Sequence, residues 1–201
     1  MRRSVFARSR AGERPGTLRA MSAGGRLPVT TRRAVPEDAP ILTELGASTF
    51  RDTFEADNTA EDFAAYMAVA FAEPIQRAEL EDADTTVFFA ERAGQIVGYV
   101  MLREGKAPSC VASSDALQIA RLYARRASLG TGVGGALMQR ALAEAAARGK
   151  DAVWLGVWDR NLRAIRFYES WDFFQSGTQP FLLGADLQTD LVMVRRLARE
   201  S

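Results

Sequence analysis

Residues 121–135 read Arg121-Leu122-Tyr123-Ala124-Arg125-Arg126-Ala127-Ser128-Leu129-Gly130-Thr131-Gly132-Val133-Gly134-Gly135, and this stretch decides the fold. Its glycines at 130, 132, 134 and 135 carry no side chains, so successive backbone N–H groups can close on a phosphate at a helix N-terminus. The plain alternative is a flexible turn that lets a helix pack tightly. Upstream, Leu117–Ala124 predicts a strand. Downstream, Val133, Leu137, Ala141 and Ala145 fall on one helical face and Gly149 supplies the stop, while Ala152–Val157 is apolar enough for a buried strand. The unit is strand, loop, helix, strand.

The same residues contain Gly130-x-Gly132-x-x-Gly135, with Asp159 after the next strand, so a dinucleotide-binding unit has to be weighed. In that fold the first glycine follows its strand almost directly, whereas here Arg125 to Leu129 intervene. About forty residues remain after Asp159, too few to complete a doubly wound sheet, and no Gly-Lys-Ser/Thr ending marks a nucleotide P-loop.

Further out, Thr86–Ala90 and Ile96–Leu102 are β-branched and aromatic runs separated by Arg92-Ala93-Gly94-Gln95, which predicts an antiparallel hairpin. A short strand is expected at Val29–Ala34. Pro36-Glu37-Asp38 suits a helix start, with the helix running towards Phe54. Thr59-Ala60-Glu61-Asp62 matches a capping box ahead of Phe63, Tyr66, Met67 and Ala70 at helical spacing. Residues 105–115 read as a loop and Asn161–Trp171 as a helix. Phe173–Ser176 and Leu191–Leu197 read as closing strands joined by a loop through Pro180 and Gly184. There is no internal repeat.

The chain has 201 residues, 47% hydrophobic and 25% charged, enough to bury one core. No stretch reaches the roughly 18 apolar residues of a membrane-spanning helix. A single cysteine, Cys110, excludes an internal disulfide and fits a reducing, cytoplasmic setting. It lies in a loop with no basic neighbour closer than Lys106, which argues against a nucleophile. The chain has no histidine, so Ser/His/Asp and Cys/His catalysis in their usual form are excluded and the commonest zinc ligand is missing. Acid–base chemistry must use Tyr, Asp, Glu, Lys, backbone or water. No metal is expected.

The net charge of +1 conceals segregation. Residues 1–26 carry seven Arg against one Glu, and Arg32 and Arg33 follow. Residues 37–91 hold fourteen acids against two Arg, and residues 92–201 hold fifteen bases against ten acids. Residues 1–26 lack apolar periodicity and read as a disordered basic leader to a single domain at 27–201, with Met1 or Met21 as the start. An organellar transit peptide or a nucleic-acid contact are alternative uses of such a leader; the expectation is neither nucleic acid nor membrane as partner.

The order of elements resembles the GNAT superfamily of N-acetyltransferases. Arg121-Leu122-Tyr123-Ala124 followed by Leu129-Gly130-Thr131-Gly132-Val133-Gly134 is similar to its acyl-CoA pyrophosphate loop, and Asn161-x-x-Ala164-Ile165-x-Phe167-Tyr168 to its second motif. The similarity spans roughly residues 28–197. Trp154-Leu155-Gly156-Val157-Trp158 and Phe181-x-Leu183-Gly184-x-Asp186-x-Gln188-x-Asp190-x-x-Met193 resemble its polyamine-acetylating branch, which includes bacterial spermidine/spermine acetyltransferases.

The resemblance implies a mixed α/β, or α+β, fold with a mostly antiparallel sheet, flanking helices and parallel strands that splay at the acyl-CoA site. It implies acetyl-CoA as co-substrate, bound by Leu122, Tyr123, Ala124, Leu129, Gly130, Thr131, Gly132, Val133, Gly134, Gly135, Asn161 and Tyr168. Tyr168 would be the acid that protonates the departing thiolate. Gln118, where related strands often offer Glu, would hold water for amine deprotonation, with an acidic residue from the acceptor side as the other route. Leu129 stands where Gln or Arg is usual, so phosphate contacts would rest on backbone N–H groups helped by Arg125 or Arg126, and Asp172 replaces a glycine before Phe173. Trp154 and Trp158 are expected to pack. The function implied is acetyl transfer to a small cationic amine or polyamine, in a protein that can form a homodimer; a non-catalytic acyl-CoA sensor and a protein or peptide N-acetyltransferase are the alternatives.

Overall fold

The computed structural model describes residues 27–198; the leader expected at 1–26 lies outside the described residues. One seven-stranded sheet runs in the order β1-β2-β3-β4-β5-β7-β6. The strands are β1 Thr30–Arg33, β2 Thr85–Arg92, β3 Gln95–Arg103, β4 Ala116–Ala124, β5 Ala152–Trp158, β6 Phe174–Leu183 and β7 Asp186–Arg196, and the helices are α1 Ala39–Phe54, α2 Ala60–Ala70, α3 Glu73–Glu81, α4 Val133–Ala147 and α5 Leu162–Glu169. Each neighbouring pair of strands is antiparallel except β4 and β5. Those two run parallel because α4 makes the crossover between them.

Period-2 alternation in β2 explains how both faces are covered. Phe88 and Ala90 turn to one side with Val100 and Leu102 of β3 and meet Leu137, Met138 and Ala141 of α4. Val87 and Phe89 turn to the other side with Tyr99 and Met101 and meet Leu42 and Leu45 of α1. Leu42 and Leu45 are fully buried, each contributing about 1.5–3 kcal/mol. The hairpin turn is tight: Ala93 and Gly94 both take positive φ, at 52° and 74°.

The sequence reading places no helix at 73–81, and two of its expectations about the closing strands need correction. The helix α3 does not stand out as an apolar stripe, because its wholly buried residue is Gln76. Gln76 is satisfied there, donating from Nε2 to the Ala70 carbonyl at 2.8 Å and accepting from Arg121 at 3.2 Å. β6 and β7 are much longer than the closing strands expected, and Pro180 lies inside β6 instead of in a loop. β6 is an edge strand, where a residue without an N–H is tolerated. Gly184, at φ 62°, does make the turn. Asp172, where a glycine is usual, takes φ 61°, a conformation short polar side chains adopt more readily than others.

Candidate functional site

β4 and β5 pair at only three positions, Ala116 with Ala152, Leu117 with Val153 and Gln118 with Trp154. Beyond Gln118 they diverge. On the other edge of β4, Arg121 faces Met101 but Ile119 faces Leu102, so Ala120 is an extra, bulged residue that bends the strand as it leaves its partner. The opening holds a cavity of about 590 Å³, lined by Ile119 to Ala124 from β4 and Gly156 to Trp158 from β5. An open strand edge of this kind presents backbone donors and acceptors to an extended ligand.

One end of the cavity is the glycine loop. Ser128, Leu129, Gly130, Gly132, Gly134 and Gly135 line it. Gly132 is the N-cap of α4 at φ 93°, so the N–H groups of Val133, Gly134 and Gly135 lack helical acceptors at the positive end of the helix. Gly134 and Gly135 let α5 approach closely: a Cβ at 134 would sit 3.4 Å from Phe167 and one at 135 would sit 3.7 Å from Trp171. Asn161 caps α5, its Oδ1 accepting from the Ala164 N–H at 3.1 Å, and also lines the cavity. Tyr168 lines it from the same helix. Its phenol is nearly buried, and burial alone pushes its pKa up.

The other end is aromatic. Phe50, Thr53 and Phe54 of α1, Tyr66 of α2, Trp158 of β5, and Phe181, Leu183, Gln188 and Asp190 of the β6–β7 hairpin line it. Phe50 stacks on Tyr66 at 4.9 Å, Tyr66 meets Phe181 edge-on at 5.8 Å, and Phe54 lies 6.0 Å from Trp158. Burial raises the Tyr66 phenol as well. Among the described residues lining the cavity, Asp190 is the one carboxylate, and burial together with Asp159 pushes it up to about 6.

Of the residues singled out from sequence, Leu122, Tyr123, Ala124, Leu129, Gly130, Gly132, Gly134, Gly135, Asn161 and Tyr168 all line this one cavity. Three others do not. Thr131 pins the loop from outside, donating to the Ser128 carbonyl at 2.7 Å while its hydroxyl and carbonyl each accept from Arg92 at 2.7 Å. Val133 is fully buried beneath the loop. Gln118 occupies the last paired position before the strands part, between Arg103 and Trp154, so its amide is not among the groups that border the cavity. Arg125 is committed to Glu44, at 3.1 and 2.6 Å, and to the Ile96 carbonyl. Trp154 packs in the core as expected, but Trp158 is a cavity wall. Sequence reasoning did not place Phe50, Phe54, Tyr66 or Arg163 at the site.

The acidic block at 37–91 also behaves differently from its charge count. It borders the cavity through Phe50, Thr53, Phe54 and Tyr66, and none of its carboxylates lines it. Several are paired elsewhere: Glu79 with Arg121 at 2.8 Å, Asp38 with Arg32 at 2.7 Å, Glu44 with Arg125. Among the described residues no group of three or more potential ligands could hold a metal, and no helix is long and apolar enough to cross a membrane.

A model of the acetyltransferase (GNAT) family matches residues 47–173. The chain is 30% identical over 161 residues to an uncharacterized N-acetyltransferase in the pepI 3′ region of Lactobacillus delbrueckii subsp. lactis, covering 80% of this chain and 93% of that one. It is 35% identical over 160 residues to an uncharacterized N-acetyltransferase of Mycobacterium tuberculosis, covering 80% and 98%. The fold is shared with the PaiA N-acetyltransferase of Thermoplasma acidophilum in complex with coenzyme A, at TM-score 0.71 and 16% identity over 85% of this chain and 100% of that one. It is shared too with yncA of Salmonella typhimurium, solved with acetyl-CoA, at TM-score 0.65 and 20% identity over 87% and 96%.

Proposed function

Since the chain belongs to the acetyltransferase (GNAT) family and is an N-acetyltransferase, we propose that it transfers the acetyl group of acetyl-CoA to a small, positively charged primary amine by direct attack on the thioester. The observation that carries this is one continuous cavity, with a helix N-terminus and glycine loop at one end and an aromatic pocket holding Asp190 at the other.

In this reading the pyrophosphate meets the N–H groups of the first turn of α4, with Arg163 at the rim, and the pantetheine arm lies along the open edge of β4. The amine nitrogen forms a bond to the thioester carbon, negative charge develops on the carbonyl oxygen, and backbone N–H groups near Leu122 to Ala124 stabilise it. The C–S bond then breaks. Tyr168, whose phenol burial holds above the ordinary value of about 10, stays protonated until the thiolate departs and then gives that thiolate its proton.

Two measurements test this. Gly132→Val replaces a residue at φ 93° that lines the cavity, so the loop must either move or fill its own site. The folded variant is expected to bind acetyl-CoA at least tenfold more weakly by calorimetry, about 1.4 kcal/mol. Wild-type affinity would remove the loop from cofactor binding. The second is thiol release from acetyl-CoA across an amine panel: a protein that binds the cofactor and releases no thiol is the sensor, and one that responds only to peptides is a peptide acetyltransferase.

A polyamine is the finer acceptor reading. Beside the aromatic pocket, and sharing Trp158 and Gln188 with it, a recess of about 160 Å³ is bordered by three carboxylates, Asp57, Asp159 and Asp186, against one cation, Arg160, which lies over the Trp158 ring at 5.8 Å. One ammonium at Asp190, a methylene chain along Trp158 and a second ammonium at the recess would match this alternation. An α,ω-diamine is then expected to exceed the monoamine of equal length at least tenfold in kcat/KM, with the advantage shrinking as salt rises. Equal rates for both, insensitive to salt, would leave a monoamine as the acceptor.

A further inference from the structure

We propose that Asp190 holds the incoming ammonium and takes its proton, a role that rests on the acetyl-transfer reading above. Asp190 lies on β7 opposite Trp158 of β5, at the aromatic end of the cavity. Space for its carboxylate comes from Gly156: a Cβ there would meet Asp190 Oδ2 at 2.9 Å and Gln179 Nε2 at 2.7 Å.

The groups around it come from each neighbouring element. Gln179 of β6 is the side chain that favours the charged form, Asp159 beyond β5 repels it, and Tyr66 of α2 couples to it across the pocket. Among the described residues no arginine or lysine forms an ion pair with it. A partly buried carboxylate without a cation of its own, walled by Tyr66, Trp158 and Phe181, is built to receive one, and ring faces add to the attraction. Burial and Asp159 set its pKa at about 6, so it is ionised at neutral pH yet basic enough to take a proton.

The step balances as follows. The alkylammonium gives one proton to the Asp190 carboxylate and becomes a free amine. Its lone pair forms the C–N bond, the C–S bond breaks, and the thiolate takes the Tyr168 proton. The second surplus proton on nitrogen returns to the Tyr168 phenolate through water, and the proton on Asp190 leaves to solvent. The sum is ammonium plus acetyl-CoA giving amide, free thiol and one proton.

The test compares wild type, Asp190→Asn and Asp190→Glu by thiol release over pH 5 to 9 with the best amine of the panel, alongside acetyl-CoA affinity by calorimetry. Wild type is expected to show an acidic limb in kcat/KM with an apparent pKa near 6. Asp190→Asn should fall about 10²-fold or more and lose that limb, with acetyl-CoA affinity within about twofold of wild type, and Asp190→Glu should recover activity with a displaced limb. An Asp190→Asn enzyme that keeps wild-type kcat/KM and its acidic limb overturns the role of Asp190 and leaves acetyl transfer standing. A wild type that releases no thiol with any amine overturns acetyl transfer itself, and the role of Asp190 with it.

Discussion

Tyr168→Phe is expected to lower kcat by about 10² or more while acetyl-CoA affinity stays near wild type. The substitution keeps the ring that packs against Phe167 at 5.5 Å and Phe173 at 5.9 Å, so the core around α5 survives. Only the hydroxyl is lost. Burial raises the phenol above its ordinary value, which keeps it protonated throughout the neutral and mildly alkaline range and so always present as a donor. Without it the thiolate must leave unprotonated or wait for water. A rate of thiol release in single-turnover mixing that is slowed in the variant to the same extent as kcat would locate the loss in the chemical step. An unchanged rate in an enzyme whose chemistry is rate-limiting would assign Tyr168 to packing alone.

Tyr168 could be found from sequence because its neighbourhood is local: Asn161, Ala164 and Phe167 lie on the same short helix and carry the motif with it. The glycine loop is legible for the same reason. The acceptor end is assembled from elements distant in sequence, α1, α2, β5 and the β6–β7 hairpin, and no spacing rule connects Tyr66 to Phe181. Gln118 lies outside the cavity lining for a subtler reason. Whether a strand residue faces the cleft depends on where pairing with β5 ends and where the bulge at Ala120 falls, and neither is written in the local pattern. For Asp190 a signal did exist. Along β7, Asp190, Val192 and Val194 alternate onto one face, and the two valines are buried, so a carboxylate stands at a core register position. An acid there is costly unless it has a use.

That cost leads to the second large effect, this time on stability. Asp190 has a folded pKa of about 6 against 3.8 for the free side chain, so the native state binds its proton more tightly than the unfolded state does. Between those two values the unfolded chain has already released the proton while the folded chain still holds it, and stability therefore falls as pH rises from about 4 to 6. Above pH 6 the full penalty is present, at most about 3 kcal/mol and nearer half of that once partial contact with water is discounted. Asp190→Asn carries no such penalty while keeping an acceptor for Gln179. Its unfolding midpoint in urea should therefore exceed that of wild type at pH 8, with the gap closing as pH drops to 4. A gap that is absent at pH 8, or equal at both pH values, would mean that the carboxylate is not destabilised by the fold. The variant expected to lose catalysis is thus expected to be the more stable protein at neutral pH. Saturating amine should narrow the difference, because an ammonium bound to wild type offsets the same buried charge.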